Sequence, residues 1–121
     1  MKLRRLLENK LPRYFYHATY KELIPSIKKK GLTSTIAKKS WSFSGNYVYL
    51  SGDEFAAESY AEIADNVPEE WVDNIVVLEI PSKVLDPNKL DIDENNKSRD
   101  TWQYAGAIPW KYIRIKILRE E

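Results

Sequence analysis

The chain has 121 residues, 19 Lys+Arg against 18 Asp+Glu, a single histidine and no cysteine. That length suits one domain with its own core, and the missing thiols exclude a disulfide framework and leave a zinc centre to be built mostly from carboxylates. No run approaches the roughly 20 apolar residues of a membrane span, and the basic start MKLRRLLENK lacks the apolar stretch of a secretion signal, so a cytoplasmic protein with no membrane and no metal site is expected.

In chain order, residues 2–10 carry Leu3, Leu6 and Leu7 at helical spacing, and Pro12 ends the pattern. A short helix within residues 1–12 is predicted, as part of a single domain over 1–121. Residues 13–18 alternate around aromatics and predict a strand. Thr19-Tyr20-Lys21-Glu22 is a capping-box pattern, and Pro25 is the alternative marker of a first helical turn. Leu23, Ile24 and Ile27 then face inward, three lysines suit the last turn, and Gly31 is the stop. Residues 33–46 read as a long polar loop that contains Trp41 and Phe43.

Residues 47–51 predict a second strand. Ser51-x-x-Glu54 then opens a helix over 52–65 with Phe55, Tyr60 and Ile63 for burial. Residues 66–74 form an acidic loop or short turn around Trp71. The run IVVLEI at 75–80 is the strongest buried-strand signal, closed by Pro81. A turn at Asp86-Pro87-Asn88 leads into a short strand at 90–92. Residues 93–100 are a charged loop, 101–104 and 112–118 are strands, and Ile108-Pro109-Trp110 is a tight turn between them. Short helices inserted among five or six strands predict an α+β domain.

The near-neutral total hides a division. Residues 1–51 carry 11 Lys+Arg against 2 acids, and residues 52–100 carry 4 against 14. Two readings stand: the halves attract each other within one fold, or the basic half offers a surface to phosphate or nucleic acid. His17 ends an aromatic run just before a helix start. On its own it is either a satisfied structural histidine or part of a nucleotide site. Phosphate-binding glycine loops are absent.

Several pieces in order carry more weight. Tyr16-His17-Ala18-Thr19 precedes a helix that ends in Gly31-Leu32. Val48-Tyr49-Leu50-Ser51 follows, then Glu54-Phe55-Ala56-Ala57, with Tyr60 eleven positions after Tyr49. Residues 76–81 and Asp86-Pro87-Asn88 complete the series. This order resembles the ADP-ribosyltransferase fold, most closely the rifamycin-modifying bacterial ADP-ribosyltransferases and the catalytic domain of the tRNA 2′-phosphotransferases. The resemblance covers about residues 14–90. It implies split antiparallel sheets with a few short helices, and NAD as co-substrate.

The resemblance also implies the site. His17 would bond the ribose hydroxyls, Tyr49 and Tyr60 would enclose the nicotinamide, backbone groups at Ala18 would hold the carboxamide, and Thr19 would be a further NAD-binding residue. Ser51 would support the ribose. Catalysis would rest on His17, Tyr49 and an acid, with Asp86 preferred and Asp100 the substitute, because the late strand carries Gln103 where many relatives have Glu. The expected activity is NAD-dependent ADP-ribosyl transfer, with release of nicotinamide, to a protein, nucleic-acid or small-molecule acceptor. The alternatives are a module that binds NAD, ADP-ribose or an RNA end without turnover, and a small protein-interaction modulator.

Overall fold

A computed structural model describes residues 11–34, 47–53, 68–71, 73–92 and 101–118. Its frame is one six-stranded antiparallel sheet in the order β4-β5-β2-β1-β3-β6. The strands are β1 (Tyr14–Tyr20), β2 (Val48–Ser51), β3 (Ile75–Pro81), β4 (Leu90–Ile92), β5 (Thr101–Tyr104) and β6 (Arg114–Leu118). One α-helix, α1 (Ile24–Lys30), lies among the described residues. The class is therefore α+β.

β1 and β3 form the spine. They pair without interruption from Tyr14↔Pro81 to Tyr20↔Ile75. Aromatic and β-branched residues fill both strands and suit a pleated, packed surface. On one face of the sheet Phe15, Leu50, Leu78, Leu90, Trp102 and Tyr104 are buried in one core. The Phe15 and Trp102 rings meet edge to face, with centroids 5.5 Å apart.

A seven-residue helix is too short to persist in isolation, so α1 is held by what it packs against. Leu23, Ile24 and Ile27 are buried in the same core. Pro25 stands in its first turn and Lys28, Lys29 and Lys30 in its last, the cations lying where the helix dipole is negative. Gly31 stops it at φ 82 and ψ 173, a region that is essentially glycine's alone. A Cβ there would lie 2.8 Å from the Ile108 carbonyl oxygen. The approach is close because Leu32 and Ile108 exchange backbone hydrogen bonds of 2.8 and 3.0 Å.

Two expectations are corrected. Thr19 does not cap the helix: β1 runs on through Tyr20, and Thr19 pairs with Val76 and is buried. The long ladder with β3 outcompetes the local cap, and Glu22 turns instead to accept from Asn74 Nδ2 at 2.6 Å. The signal at Pro25 marks the helix start. The turn at 108–110 becomes a bridge at Ile108 followed by a 3-10 turn over Trp110–Tyr112, so β6 begins at Arg114. The acidic stretch at 66–74 contains a 3-10 turn, Glu69–Trp71. The helices expected at 2–10 and 52–65, the loop at 93–100, and Trp41, Phe43 and Asp100 lie outside the described residues.

Replacing Gly31 by alanine forces both a disfavoured dihedral and a backbone clash. Gly31→Ala is expected to lower stability by about 2–3 kcal/mol, read as a drop in the urea midpoint with unchanged slope.

Candidate functional site

The site is defined by a break in the sheet. Against β3, β1 is paired along its whole length; against β2 it shares one register pair, Tyr16↔Ser51. A continuing ladder would set Ala18 against Tyr49. Instead the His17 ring takes the next bond, and its Nδ1 donates to the Tyr49 carbonyl oxygen at 2.8 Å. The carbonyl thereby has the ring as a partner at the break.

That bond dictates the chemistry of the ring. A carbonyl only accepts, so Nδ1 must carry the hydrogen. His17 is buried, and burial pushes its pKa below the usual 6.5 against the weaker opposing pull of the bond to Tyr49. At neutral pH the imidazole is therefore uncharged, and Nε2 presents a lone pair. A hydroxyl is the natural partner for such an atom. A buried neutral imidazole of fixed tautomer positions a ligand; it is poorly suited to carry a proton through a reaction at neutral pH.

The two faces of the sheet divide the remaining predicted residues. Thr19 lies two residues from His17 on the core side and is buried. Tyr16 and Ser51 are opposed on the other face. Strand alternation then puts Ala18 and Tyr49 on that face as well. Tyr49 pairs with Gln103, which pairs with Asp91. Ala18, Tyr49, Gln103 and Asp91 thus stand side by side across four strands, each half-buried. His17 and Tyr49 are joined through the Tyr49 backbone, while its ring lies on the opposite face and meets Tyr47 at 6.4 Å between centroids.

Ser51 uses its hydroxyl locally. It donates to the Asp53 carbonyl at 3.1 Å and accepts from the Asp53 N–H at 3.2 Å, closing a turn at the end of β2. Asp86 heads a 3-10 turn, Pro87–Lys89, before β4, two strands out from β2. Its Oδ1 accepts from the Asn88 N–H at 2.9 Å, and its own N–H donates to the Tyr104 hydroxyl at 3.0 Å. The structure brings His17, Ala18, Tyr49 and Ser51 to one break between two strands. It joins Asp86 to the sheet through Tyr104. Tyr60 lies outside the described residues.

Glu79 is the side chain that the sequence reading passed over. It is buried on β3, cross-strand from Tyr16 and Arg114. The Tyr16 hydroxyl donates to its Oε2 at 3.1 Å, Arg114 bonds its Oε1, and Lys116 Nζ stands 3.8 Å from Oε2. A charge inside the apolar run 75–80 was the available signal, since a buried carboxylate demands partners. Its consequence for the site is indirect: it anchors Tyr16, the β1 half of the one register pair that joins β1 to β2 among the described residues.

Among the described residues no group of three or more metal-ligating side chains occurs, and no helix is long and apolar enough to cross a membrane. No family model matches the chain, and no curated protein matches it.

The lowered His17 pKa has a definite sign. The unfolded chain takes up a proton near pH 6.5 that the folded chain resists. Stability is therefore full above that pH and declines as pH falls below it. Because His17 is the only histidine, His17→Asn, whose amide still donates to the Tyr49 carbonyl, is expected to flatten the decline between about pH 7 and about pH 5. Urea titrations across that range read it out.

Proposed function

We propose that this chain is an ADP-ribosyltransferase of the histidine–tyrosine–acid type, with NAD as co-substrate. The observation that carries the reading is the His17 ring at the break between β1 and β2, with Nδ1 held by Tyr49 and Nε2 left as an acceptor. An acceptor of fixed tautomer suits a ribose hydroxyl. The half-buried Ala18–Tyr49–Gln103 row carries an aromatic ring for the nicotinamide on the opposite face of the sheet, across the break from the His17 ring. Tyr60 is the second aromatic of this reading, Ala18 contributes backbone groups for the carboxamide, and Thr19 is a further NAD-binding residue.

In the reaction, the bond from nicotinamide to ribose C1′ breaks and its electron pair leaves with nicotinamide. The acceptor nucleophile then bonds C1′ and loses its proton. Positive charge develops on the ribose, and a carboxylate offsets it. Asp86 is the acid of this reading. Its Oδ1 is engaged in its own turn, and Oδ2 has no partner among the described residues.

A second reading is favoured by one observation. The residue directly opposite Tyr49 is Gln103, a neutral amide on the late strand. An amide binds ribose as well as a carboxylate does but does not stabilise a developing cation. On that reading the same break binds NAD or ADP-ribose without turnover.

Two measurements separate the readings. Calorimetric titration with NAD is expected to show saturable binding that weakens at least about tenfold in His17→Asn, a variant that keeps the bond to Tyr49 and removes the Nε2 acceptor. Chromatography of NAD incubations with protein, nucleic-acid and small-molecule acceptors is expected to show nicotinamide release, lost in Asp86→Asn. Binding without release selects the second reading, and absence of both eliminates each.

A further inference from the structure

The C-terminal end of α1 and the segment before β6 enclose a second feature, apart from the sheet break and independent of the NAD reading. The mutual backbone bonds of Leu32 and Ile108 clamp them together. The result is a shallow groove of about 460 Å³. Part of its lining is apolar: Ala107, Pro109 and Trp110. Its rim is four lysines, Lys28, Lys29, Lys30 and Lys111, all exposed.

Among the described residues none of these four ammonium groups is ion-paired. Lys28 Nζ lies over the Trp110 ring, 5.7 Å from its centroid, and Lys111 Nζ lies over the Tyr112 ring at 5.0 Å. Four like charges around one depression repel each other, and the C-terminal dipole of one short helix offsets little of that. A polyanion relieves the repulsion, and the Trp110 ring and its apolar neighbours select what kind. Duplex nucleic acid presents phosphates but keeps its base faces stacked inside. A single strand presents both.

We propose that this groove binds single-stranded nucleic acid, with phosphates on the lysine rim and an unstacked base against Trp110. Lys28 moves from the ring to a phosphate as the base arrives. The contact is sequence-tolerant, because every base offers a flat face and the rim supplies charge alone.

The test is fluorescence anisotropy with a labelled oligothymidylate of about twelve nucleotides, titrated across salt concentrations. Four lysine–phosphate contacts predict a log–log salt slope of about −2.8 for a single strand. Lys29→Ala combined with Lys111→Ala is expected to flatten it to about −1.4 and to weaken binding more than about tenfold at low salt. Lys83→Ala combined with Lys89→Ala removes the same charge from exposed positions that do not line the groove. That variant is expected to keep the parent slope, and circular dichroism checks that both variants fold. The proposal is overturned if the oligonucleotide does not bind at low salt, or if the groove variant keeps the parent slope. A duplex of the same length that binds as tightly, or polyglutamate that displaces the strand at matched charge, overturns it as well.

Discussion

The unequal treatment of the two edges of β1 is the constraint on which the rest depends. One edge is saturated by β3 along seven residues; the other meets β2 at a single pair. A strand so placed is rigid, because the β3 ladder and the core beneath Phe15 fix it. Its other edge shares one register pair with β2 among the described residues. Rigidity beside a break in strand pairing suits a ligand site. The His17 ring bridges part of the opening. It does so by substituting for backbone, which locks its tautomer as a by-product of satisfying Tyr49.

Much of this was legible in the chain because the strongest local signals agree with the tertiary structure. β4 and β5 fall on the residues that alternation and flanking turns indicate, and the apolar run of β3 is buried throughout. The helix start was legible twice, at Thr19 and at Pro25. The wrong signal lost because a non-local ladder absorbed it. Capping patterns are local and worth about 1 kcal/mol, whereas cross-strand pairing over seven residues with a buried face is worth more in sum. Nothing in the composition of Thr19 or Glu22 reveals that Val76 and Asn74 stand opposite.

The candidate site was legible only in part, for a related reason. His17 and Tyr49 can be singled out as residues, but the atom of Tyr49 that matters to His17 is a carbonyl, and every residue has one. Strand order β4-β5-β2-β1-β3-β6 is likewise a property of pairings between distant segments. It sets Gln103 against Tyr49 and leaves Asp86 at the outer turn. Glu79 hid within an apolar run, where hydrophobic patterning draws attention to its neighbours. The charge asymmetry of the chain, by contrast, translates directly. Three lysines of the first half, Lys28, Lys29 and Lys30, stand at the end of α1, and the fold adds Lys111 to them from far along the sequence.

The outer strands of the sheet bear on a different property, the tendency of one copy to recruit another. An open sheet ends in two rows of backbone donors and acceptors that can template a further strand. β4, at one end, is only three residues long and offers little length for pairing. β6, at the other, carries exposed Arg114 and Lys116 on either side of Ile115, itself 41% exposed. A second β6 laid antiparallel would bring like charges together while each chain's Glu79 was already committed to its own Arg114 and Lys116. The register shift between Val77 and Leu78 bends the neighbouring ladder and further spoils a flat template. The basic residues that neutralise a buried carboxylate thus also act as gatekeepers against edge-to-edge aggregation.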